Sequence, residues 1–500
     1  MTQKPKILLI NPPLSGSLTS GIFTVKVPLG LAYIASYLEK HNFKPEILDC
    51  MAYYENIKKL SKNNYRIGLS EKEIIKKLKQ FNPDIVGVSG SYTIHEKDSF
   101  AIADLVKKHT KALVVFGGAH TSAIPHSVLK NKNVDIAVIG EGELTFLDIV
   151  KNHKTKKLYN LKGIAFRKQK SIKINPIKEY IENLDDLPFP AHHLLPMEKY
   201  LKHPQNSFAN MRGPTTEIIT SRGCPYNCIF CSIHTVWGKK WRARSAKNVV
   251  DELEHLHKKY KIKEFRFFDD NLTWKKDRIM EICNEIIQRK LKIKWDTPNG
   301  VAIATLDEEV LKKMKQAGYY KIVMGIESGS EQTLRFMRKP VMLKKAREII
   351  KICNKLGIWT WSTFVIGFPD ESIKEIQKTI DFSKNSGLNF ATFYIAQPYE
   401  GTDMYDVYKK KGLLKDGLSN QSSVTNSKYD TNHFTAEQLA KIQKNAYSGF
   451  IKHRMISYLN PIKLYKEFLN RIKSFEDLYY VLRMFKNLVG KEYSPIYQKD

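Results

Sequence analysis

Short runs of apolar residues alternate with amphipathic stretches along most of this chain. Ile7-Leu8-Leu9-Ile10 opens the series and is stopped by Pro12 and Pro13. It is too short to be a secretory signal and predicts a buried strand. Leu29 to Leu38 repeats apolar residues at helical spacing, residues 44–48 predict a second strand, and Ile74 and Leu78 belong to a second helix. Further uninterrupted apolar strands are predicted over 84–89, 112–118 and 135–140. Strands that are hydrophobic throughout, separated by amphipathic helices, need cover on both faces, so residues 1–150 predict a parallel, doubly wound α/β sheet. In such a sheet ligands bind outside the carboxyl ends of the strands.

Periodicity weakens over 151–212, apart from a short strand at Gly163-Ile164-Ala165-Phe166, and this stretch is expected to be a linker. Its Leu187-Pro188-Phe189-Pro190 run is stiffened by proline. The His192-His193 pair that follows is either a pair of ligands or, as is commoner in such a linker, packing and surface residues. From residue 213 to 405 a strand-then-helix unit recurs, with strands predicted over 217–220, 264–268, 293–296, 321–326, 360–366 and 390–396. Val249, Leu253, Leu256 and Tyr260 mark one intervening helix, with Ser245 as its N-cap. Six such units predict a complete or partial parallel barrel whose chemistry lies at the strand carboxyl ends. Residues 406–500 are polar and irregular through 419–426 and mainly helical from Thr435. From Pro461 two apolar faces appear, Ile462, Tyr465, Phe468, Leu469 and Ile472, then Leu478, Tyr479, Leu482 and Phe485. Lys463, Lys466, Arg471, Lys473, Arg483 and Lys486 ride beside them. This tail either packs across a barrel mouth or lies on anionic lipid.

Length and composition fit that division. The chain has 500 residues, enough for two or three cores, and 42% hydrophobic residues exclude a disordered chain. No apolar run approaches the ~18–20 residues that cross a bilayer. Lys and Arg number 82 against 51 Asp and Glu, a formal charge of +31. That charge suits nucleic acid, anionic lipid or an acidic substrate, yet it is spread over nearly every helix with no arginine-rich arm, which favours a solvated lysine surface over nucleic-acid binding. Six cysteines, half of them in one cluster, exclude a disulfide framework and point to a reducing, cytoplasmic location. Cys50, Cys283 and Cys353 sit in apolar company and read as small core residues.

The cluster is Cys224-x3-Cys228-x2-Cys231, within Arg222-Gly223-Cys224-Pro225-Tyr226-Asn227-Cys228-Ile229-Phe230-Cys231. Three soft thiolates on one loop suit iron–sulfur or zinc. Such sites ordinarily take four protein ligands, and only three are local. Either the fourth position is open, or His234 or a distant cysteine completes a zinc loop.

This spacing, directly after the first strand of a repeated β/α domain, resembles the radical SAM family. The resemblance implies a 4Fe-4S cluster on Cys224, Cys228 and Cys231, with S-adenosylmethionine (SAM) on the fourth iron and cleaved to a 5′-deoxyadenosyl radical. It places Phe230 near the adenine, and implies SAM contacts from Asp270 and Asn271 after the second strand, Glu327 and Ser328 after the fourth, Ile366 and Gly367 after the fifth, and Gln397 after the sixth. Trp241-Arg242-Ala243-Arg244-Ser245 either meets a SAM carboxylate or an anionic substrate, or caps the next helix.

The N-terminal domain resembles the Rossmann-like cobalamin-binding domain that precedes many radical SAM barrels. The likeness rests on Asn11-Pro12-Pro13, Pro28-Leu29-Gly30-Leu31, Ser89-Gly90-Ser91-Tyr92-Thr93 and Gly117-Gly118-Ala119-His120. It implies cobalamin contacts from Pro13, Ser15, Ser89, Tyr92, Thr93, Gly117, Gly118, His120, Gly140 and Glu141. Related domains carry Asp-x-His-x-x-Gly after the first strand, the histidine ligating cobalt. Here Pro13 holds that place, which implies cobalamin without a histidine lower ligand. Together the two resemblances imply a methyltransferase acting on an unactivated carbon or on phosphorus, by the adenosyl radical and methylcobalamin. The alternative is a cobalamin-dependent cyclase or rearrangement enzyme, like the anaerobic cyclase of chlorophyll synthesis. A tRNA methylthiotransferase would need three more N-terminal cysteines, where only Cys50 stands. The implied partners are a ferredoxin or flavodoxin donor and a small-molecule or lipid substrate, with peripheral membrane contact through the tail as a further expectation.

Overall fold

The computed structural model describes residues 4–16, 25–61, 64–177, 179–202, 210–415 and 427–489, the last six of these by backbone only. The polar stretch 419–426 and the side chains of Phe485 and Lys486 therefore lie outside the described residues. The described chain forms two compact units, residues 4–202 with 232–238, and residues 210–231 with 239–489.

The first unit contains β1 (Ile7–Asn11), β2 (Leu14–Gly16), β3 (Pro45–Asp49), β4 (Ile57–Ser61), β5 (Asn64–Ile67), β6 (Ile85–Ser89), β7 (Leu113–Gly117), β8 (Ile136–Val138), β9 (Ile164–Lys168) and β10 (Ser171–Ile174). Seven of them form one sheet in the order β10-β9-β8-β7-β6-β1-β3, parallel from β8 to β3. Successive side chains of a strand face opposite ways. Leu8, Ile10, Val86, Val88, Val114 and Phe116 accordingly pack with Ile74, Leu78, Ile102 and Val106 of two helices. Ile7, Leu9, Ile85, Val115 and Ile136 pack with Leu31, Ala35, Leu38, Phe146 and Ile149 of two others. Both faces are covered, which is why the strands carry no polar alternation.

Two features differ from the sequence expectation. The stretch expected as a linker with one short strand carries that strand as β9 and adds β10, and the two extend the main sheet as an antiparallel edge. The turn after β1 is not simply a turn. Leu14–Gly16 is a strand, and β2, β5 and β4 make a small antiparallel sheet of their own.

The second unit holds β11 (Thr215–Ile218), β12 (Ser221–Arg222), β13 (Arg242–Ala243), β14 (Glu264–Phe267), β15 (Lys294–Thr297), β16 (Tyr319–Glu327), β17 (Trp359–Ile366) and β18 (Phe390–Ile395). Six strands pair in parallel in the order β11-β14-β15-β16-β17-β18. β11 and β18 are the edges, so this is a partial β/α barrel. Along β17, Thr360, Ser362, Phe364 and Ile366 are buried while Trp361, Thr363 and Val365 are half-exposed, the alternation of a sheet with helices outside and an accessible interior. Ser245 caps its helix as expected, accepting from the Asn248 N–H.

The tail packs against the amino ends of these strands. Tyr480, Val481, Phe468 and Ile472 cluster with Tyr320, Trp359, Phe390 and Met211. Beside them Lys321 pairs with Asp296 at 2.8 Å, and Glu264 accepts from Tyr320 Oη and from the Met211 and Arg212 N–H groups. That end is closed by packing and ion pairs, which leaves the carboxyl ends for chemistry.

Candidate active site

After β11 the chain enters the hairpin β12–β13, whose two short strands bracket residues 223–241 and fix both ends of the cysteine loop. Asp269, just after β14, holds the base of that loop. Its carboxylate accepts from the Thr220 N–H at 2.8 Å, Thr220 Oγ1 at 2.6 Å and Ser221 Oγ at 2.5 Å. Arg278 donates to the Thr220 carbonyl and Oγ1, both at 2.9 Å. Burial raises the Asp269 pKa, and Arg278 is the first of the influences that oppose it. Arg244, expected either at a ligand or at a helix cap, serves the helix. It pairs with buried Glu252 and donates to Asn248 Oδ1 at 2.6 Å and the Asn248 carbonyl at 3.1 Å.

The loop is braced on both sides of one residue. The Ile229 N–H donates to the Met337 carbonyl at 3.2 Å, and the Ile229 carbonyl accepts from the Met404 N–H at 2.9 Å. Cys228 Sγ lies 3.8 Å from the Arg338 carbonyl, and the Cys231 N–H donates to the Cys228 carbonyl at 3.1 Å. All three thiols remain partly accessible, while Cys50, Cys283 and Cys353 are buried in the core. Asn271 Nδ2 approaches Cys224 Sγ at 3.9 Å, and Trp241 Nε1 donates to the Asn271 carbonyl at 2.9 Å. Asn271 is buried, yet its Oδ1 has no hydrogen-bond partner among the described residues. A buried acceptor left open beside a thiol is the feature expected where a ligand completes the site. Among the described residues no three His, Cys, Asp or Glu side chains gather around one ion position, a convergence that a cluster with one iron per thiolate does not require. The three thiols with Asn271 thus fit an iron–sulfur cluster bearing a polar ligand.

Glu327 enters from the end of β16. The β16–β17 register is regular to Gly325 and then slips, and Glu327 adopts φ 67°, left-handed backbone that a non-glycine residue takes only under constraint. A bulge of this kind re-aims a side chain. The carboxylate accepts from Thr363 Oγ1 at 3.1 Å and lies 3.7 Å from Lys339 Nζ. Gly325 leaves the space, since a Cβ there would stand 2.6 Å from Glu327 Oε1 and 3.1 Å from Lys339 Nζ. Burial raises the Glu327 pKa, with Lys339 first among the groups opposing it. Asp270 is pushed up to about 7, by burial and then by Asp269, against a hydrogen bond from the Gly223 backbone.

The remaining candidates divide. Phe230 borders an apolar cluster with Phe368, Ala396 and Met404, which puts it beside the turns after β17 and β18. Ile366 and Gln397 are buried there. The Gly367 and Phe368 N–H groups donate to Glu371 at 2.7 and 3.3 Å, fixing the turn after β17. Ser328 is turned into the helix layer, its hydroxyl 2.9 Å from Thr379 Oγ1 and accepting from the Ser330 N–H. Two residues escaped the sequence reading, Lys339 and Glu371. Each follows a strand end by a helix or a turn and carries no periodic signal, although Lys339-Pro340 does mark a chain reversal.

In the first unit the loops after β6 and β7 meet edge to edge. The Gly90 N–H donates to the Gly117 carbonyl at 2.7 Å, and a Cβ on Gly118 (φ 115°) would stand 2.9 Å from the Gly90 carbonyl oxygen. Bare backbone is thus required where these two turns pack on each other. Ser89 Oγ contacts Ser91 Oγ at 2.9 Å, and Tyr92 is 62% exposed at the same rim. His120 is buried, its Nδ1 3.0 Å from Thr93 Oγ1 and its Nε2 3.0 Å from Glu96 Oε1. Ser15 donates through N–H and Oγ to Asp98, at 2.8 and 2.7 Å. Pro13 is buried, the Gly140 N–H donates to Ser122 Oγ, and Glu141 accepts from the Ile181 N–H at 2.7 Å. Gly90, Gly117, Gly118, Ser89, Tyr92 and Thr93 thus lie in the paired turns after β6 and β7, where His120 is tied to Thr93, while Ser15 is held by Asp98 and Glu141 by the Ile181 N–H. In the linker, His192 is buried against the Pro190 carbonyl and His193 meets Glu39.

Comparison with known proteins agrees with this geometry. Residues 218–383 match the radical SAM superfamily, and residues 23–150 match the B12 binding domain. The chain is 34% identical over 466 residues to an uncharacterized methyltransferase of Pyrococcus horikoshii, covering 92% of this chain and 94% of the relative. It is 33% identical over 449 residues to the cytidylyl-2-hydroxyethylphosphonate methyltransferase of Streptomyces wedmorensis, covering 82% of each. The solved cobalamin-dependent S-adenosylmethionine radical enzyme OxsB, with aqua-cobalamin and SAM bound, aligns at TM-score 0.72 and 18% identity over 97% of this chain and 75% of that one, a likeness of fold. The protein is a radical SAM enzyme. It belongs to the cobalamin-binding branch of that superfamily, with a 4Fe-4S cluster, SAM and cobalamin as cofactors.

Proposed function

We propose that this enzyme transfers a methyl group to an unactivated carbon or to phosphorus of a small-molecule or lipid substrate. The observation that carries the reading is the braced cysteine loop at the carboxyl end of β11, in one chain with a B12 domain. When bound, the cluster and SAM supply radical hydrogen abstraction, and cobalamin supplies the methyl group. The chain's own residues do the positioning. Cys224, Cys228 and Cys231 hold the cluster, and Asn271 and Asp270 present polar atoms beside it. Glu327, set by the bulge and by Thr363, offers a carboxylate to SAM, while Phe230 and the Ile366–Gly367 and Gln397 turns border the adenine. The rim of Ser89, Tyr92, Thr93, Gly117 and Gly118 holds the corrin, with Pro13 in the place of a lower-ligand histidine.

The methyltransferase relatives support methyl transfer over ring closure, and the phosphonate substrate in one relative's name supports a compact, anionic acceptor. The test is anaerobic turnover with candidate acceptors and SAM carrying a labelled methyl group. Labelled product with both S-adenosylhomocysteine and 5′-deoxyadenosine is expected. 5′-Deoxyadenosine alone, with an unmethylated rearranged product, would replace methyl transfer by the cyclase reading.

Reduction of the cluster calls for an external reductant, which we assign to a ferredoxin or flavodoxin. Among the described residues no helix is long and apolar enough to cross a membrane. The tail leaves Leu459 and Phe475 82% and 86% exposed, with Lys463, Lys466 and Lys473 exposed near them, a combination that suits contact with anionic lipid. Co-sedimentation with vesicles containing phosphatidylserine, abolished in L459E/F475E, checks that contact.

A further inference from the structure

The barrel interior holds a cation that the described residues leave incompletely paired. Along β14, Phe265 and Phe267 are buried while Arg266 and the following Phe268 are partly exposed, the same alternation as in β17. Arg266 and Phe268 therefore face the accessible interior. Two charged neighbours in register, Asp296 of β15 and Lys321 of β16, are 0% and 2% exposed and pair at 2.8 Å. Arg266 keeps 15% of its side chain exposed. Its one hydrogen bond among the described residues runs from Nε to Asp296 Oδ1 at 3.4 Å, which leaves both Nη groups without an acceptor. The guanidinium lies 5.5 Å from the ring of Phe268, one inward position nearer the carboxyl end. Trp359, Phe390 and Tyr480 close the amino end, so the exposed Nη groups open upward into the barrel. Above them Trp361 is partly exposed, held by its Nε1 donating to Thr392 Oγ1 at 2.8 Å. Below them the buried Tyr480 hydroxyl has no hydrogen-bond partner among the described residues, a second polar group left open in this interior. An arginine fork beside aromatic walls matches a carboxylate, phosphate or phosphonate through two parallel N–H bonds. Glu217, the register partner of Arg266 on β11, is the acidic neighbour that an entering anion has to outweigh.

We propose that Arg266 anchors the methyl acceptor through an oxyanion held inside the barrel. Arg266 stands three positions before Asp269, about 10 Å along an extended strand. The acceptor is therefore an elongated anion, with its charged group in the barrel and its reacting atom at the mouth. This rests on the methyl-transfer reading and names the class of its acceptor.

The experiment is isothermal titration of butylphosphonate and butyrate into the anaerobically reconstituted full chain, without SAM and saturated with it. Wild type, R266M, R266K and E217Q are compared, with butyramide as the uncharged control. The expected result is anion binding that persists with SAM bound, falls about tenfold in R266M, falls less in R266K and tightens in E217Q. If R266M does not fold, R266K and E217Q decide: weaker binding in the first and tighter in the second support the proposal, and no change in either overturns it. Anion binding equal in wild type and R266M belongs to surface lysines and overturns it. Binding that SAM abolishes would place Arg266 in the SAM site and overturn it as well. These titrations involve no turnover, so their failure leaves methyl transfer standing, and an unmethylated product in the labelled-SAM assay leaves the anion site standing.

Discussion

The Ile229 N–H donates to the Met337 carbonyl at 3.2 Å, which ties the middle of the cysteine loop to the turn after the helix that follows β16. Ile229→Pro removes that donor while keeping all three thiols. An unmet buried carbonyl costs about 1–3 kcal/mol, on the order of 5–150-fold in an equilibrium. Iron retention against a chelator should fall by that factor in I229P, with the far-UV circular dichroism unchanged. Equal retention would show that the brace does not hold the cluster loop.

Glu264 provides a test of the closed end of the barrel through pH. Its pKa is pushed up to about 7 from 4.5, first by burial and then by Asp296. The folded protein therefore keeps this proton to higher pH than the unfolded chain does. The associated stability is fully present below about 4.5 and is lost as pH rises through about 7. Glu264→Gln can still accept from the Met211 and Arg212 N–H groups and turn its amide toward Tyr320. Thermal midpoints of E264Q, measured from pH 4.5 to 7.5, should decline less with rising pH than those of the wild type.

His120 and Pro13 together predict the cobalt environment. Pro13 has no ligating atom, and both His120 ring nitrogens are engaged by Thr93 and Glu96. The EPR spectrum of the cob(II)alamin form should therefore lack nitrogen superhyperfine splitting from an imidazole. His120→Ala should leave that spectrum unchanged while destabilising the first unit by about 1–3 kcal/mol through the lost bridge, read as an earlier unfolding transition.

Tyr480 bears on what the tail does. It is fully buried, with its ring 5.9 Å from that of Tyr320 and 6.2 Å from that of Trp359. Tyr480→Ala should cost about 3–5 kcal/mol, as for a large buried aromatic, seen in chemical denaturation, without lowering the iron content of the folded protein.

Much of this was legible in the chain because both main sheets are covered by helices. Ile7–Ile10 and Val114–Phe116 must be apolar on both sides, and such runs stand out. The three-stranded sheet was hidden for the opposite reason. Every residue of Ile57–Ser61 is exposed, so no buried face imposes an alternation. The cysteine loop was legible from its spacing, and Glu327 from its strand end. Lys339 was not, because it meets Glu327 only once the chain has turned back after the helix that follows β16. The surroundings of Ser328 were hidden for a related reason. A Gly-Ser turn at a strand end suits a ligand, yet its hydroxyl is directed to Thr379 and the Ser330 N–H, contacts that only the packed helices create.

The central claim is that three cysteines after β11 hold a radical-generating cluster in a chain that also binds cobalamin. Anaerobic reconstitution, with iron, sulfide and cobalamin quantified per chain and SAM cleavage followed under reduction, tests it most directly. About four irons, four sulfides and one cobalamin per chain, with 5′-deoxyadenosine formed by the wild type and not by C224A/C228A/C231A, is the predicted result. A wild-type chain that folds but takes up neither iron nor cobalamin and leaves SAM intact would contradict it.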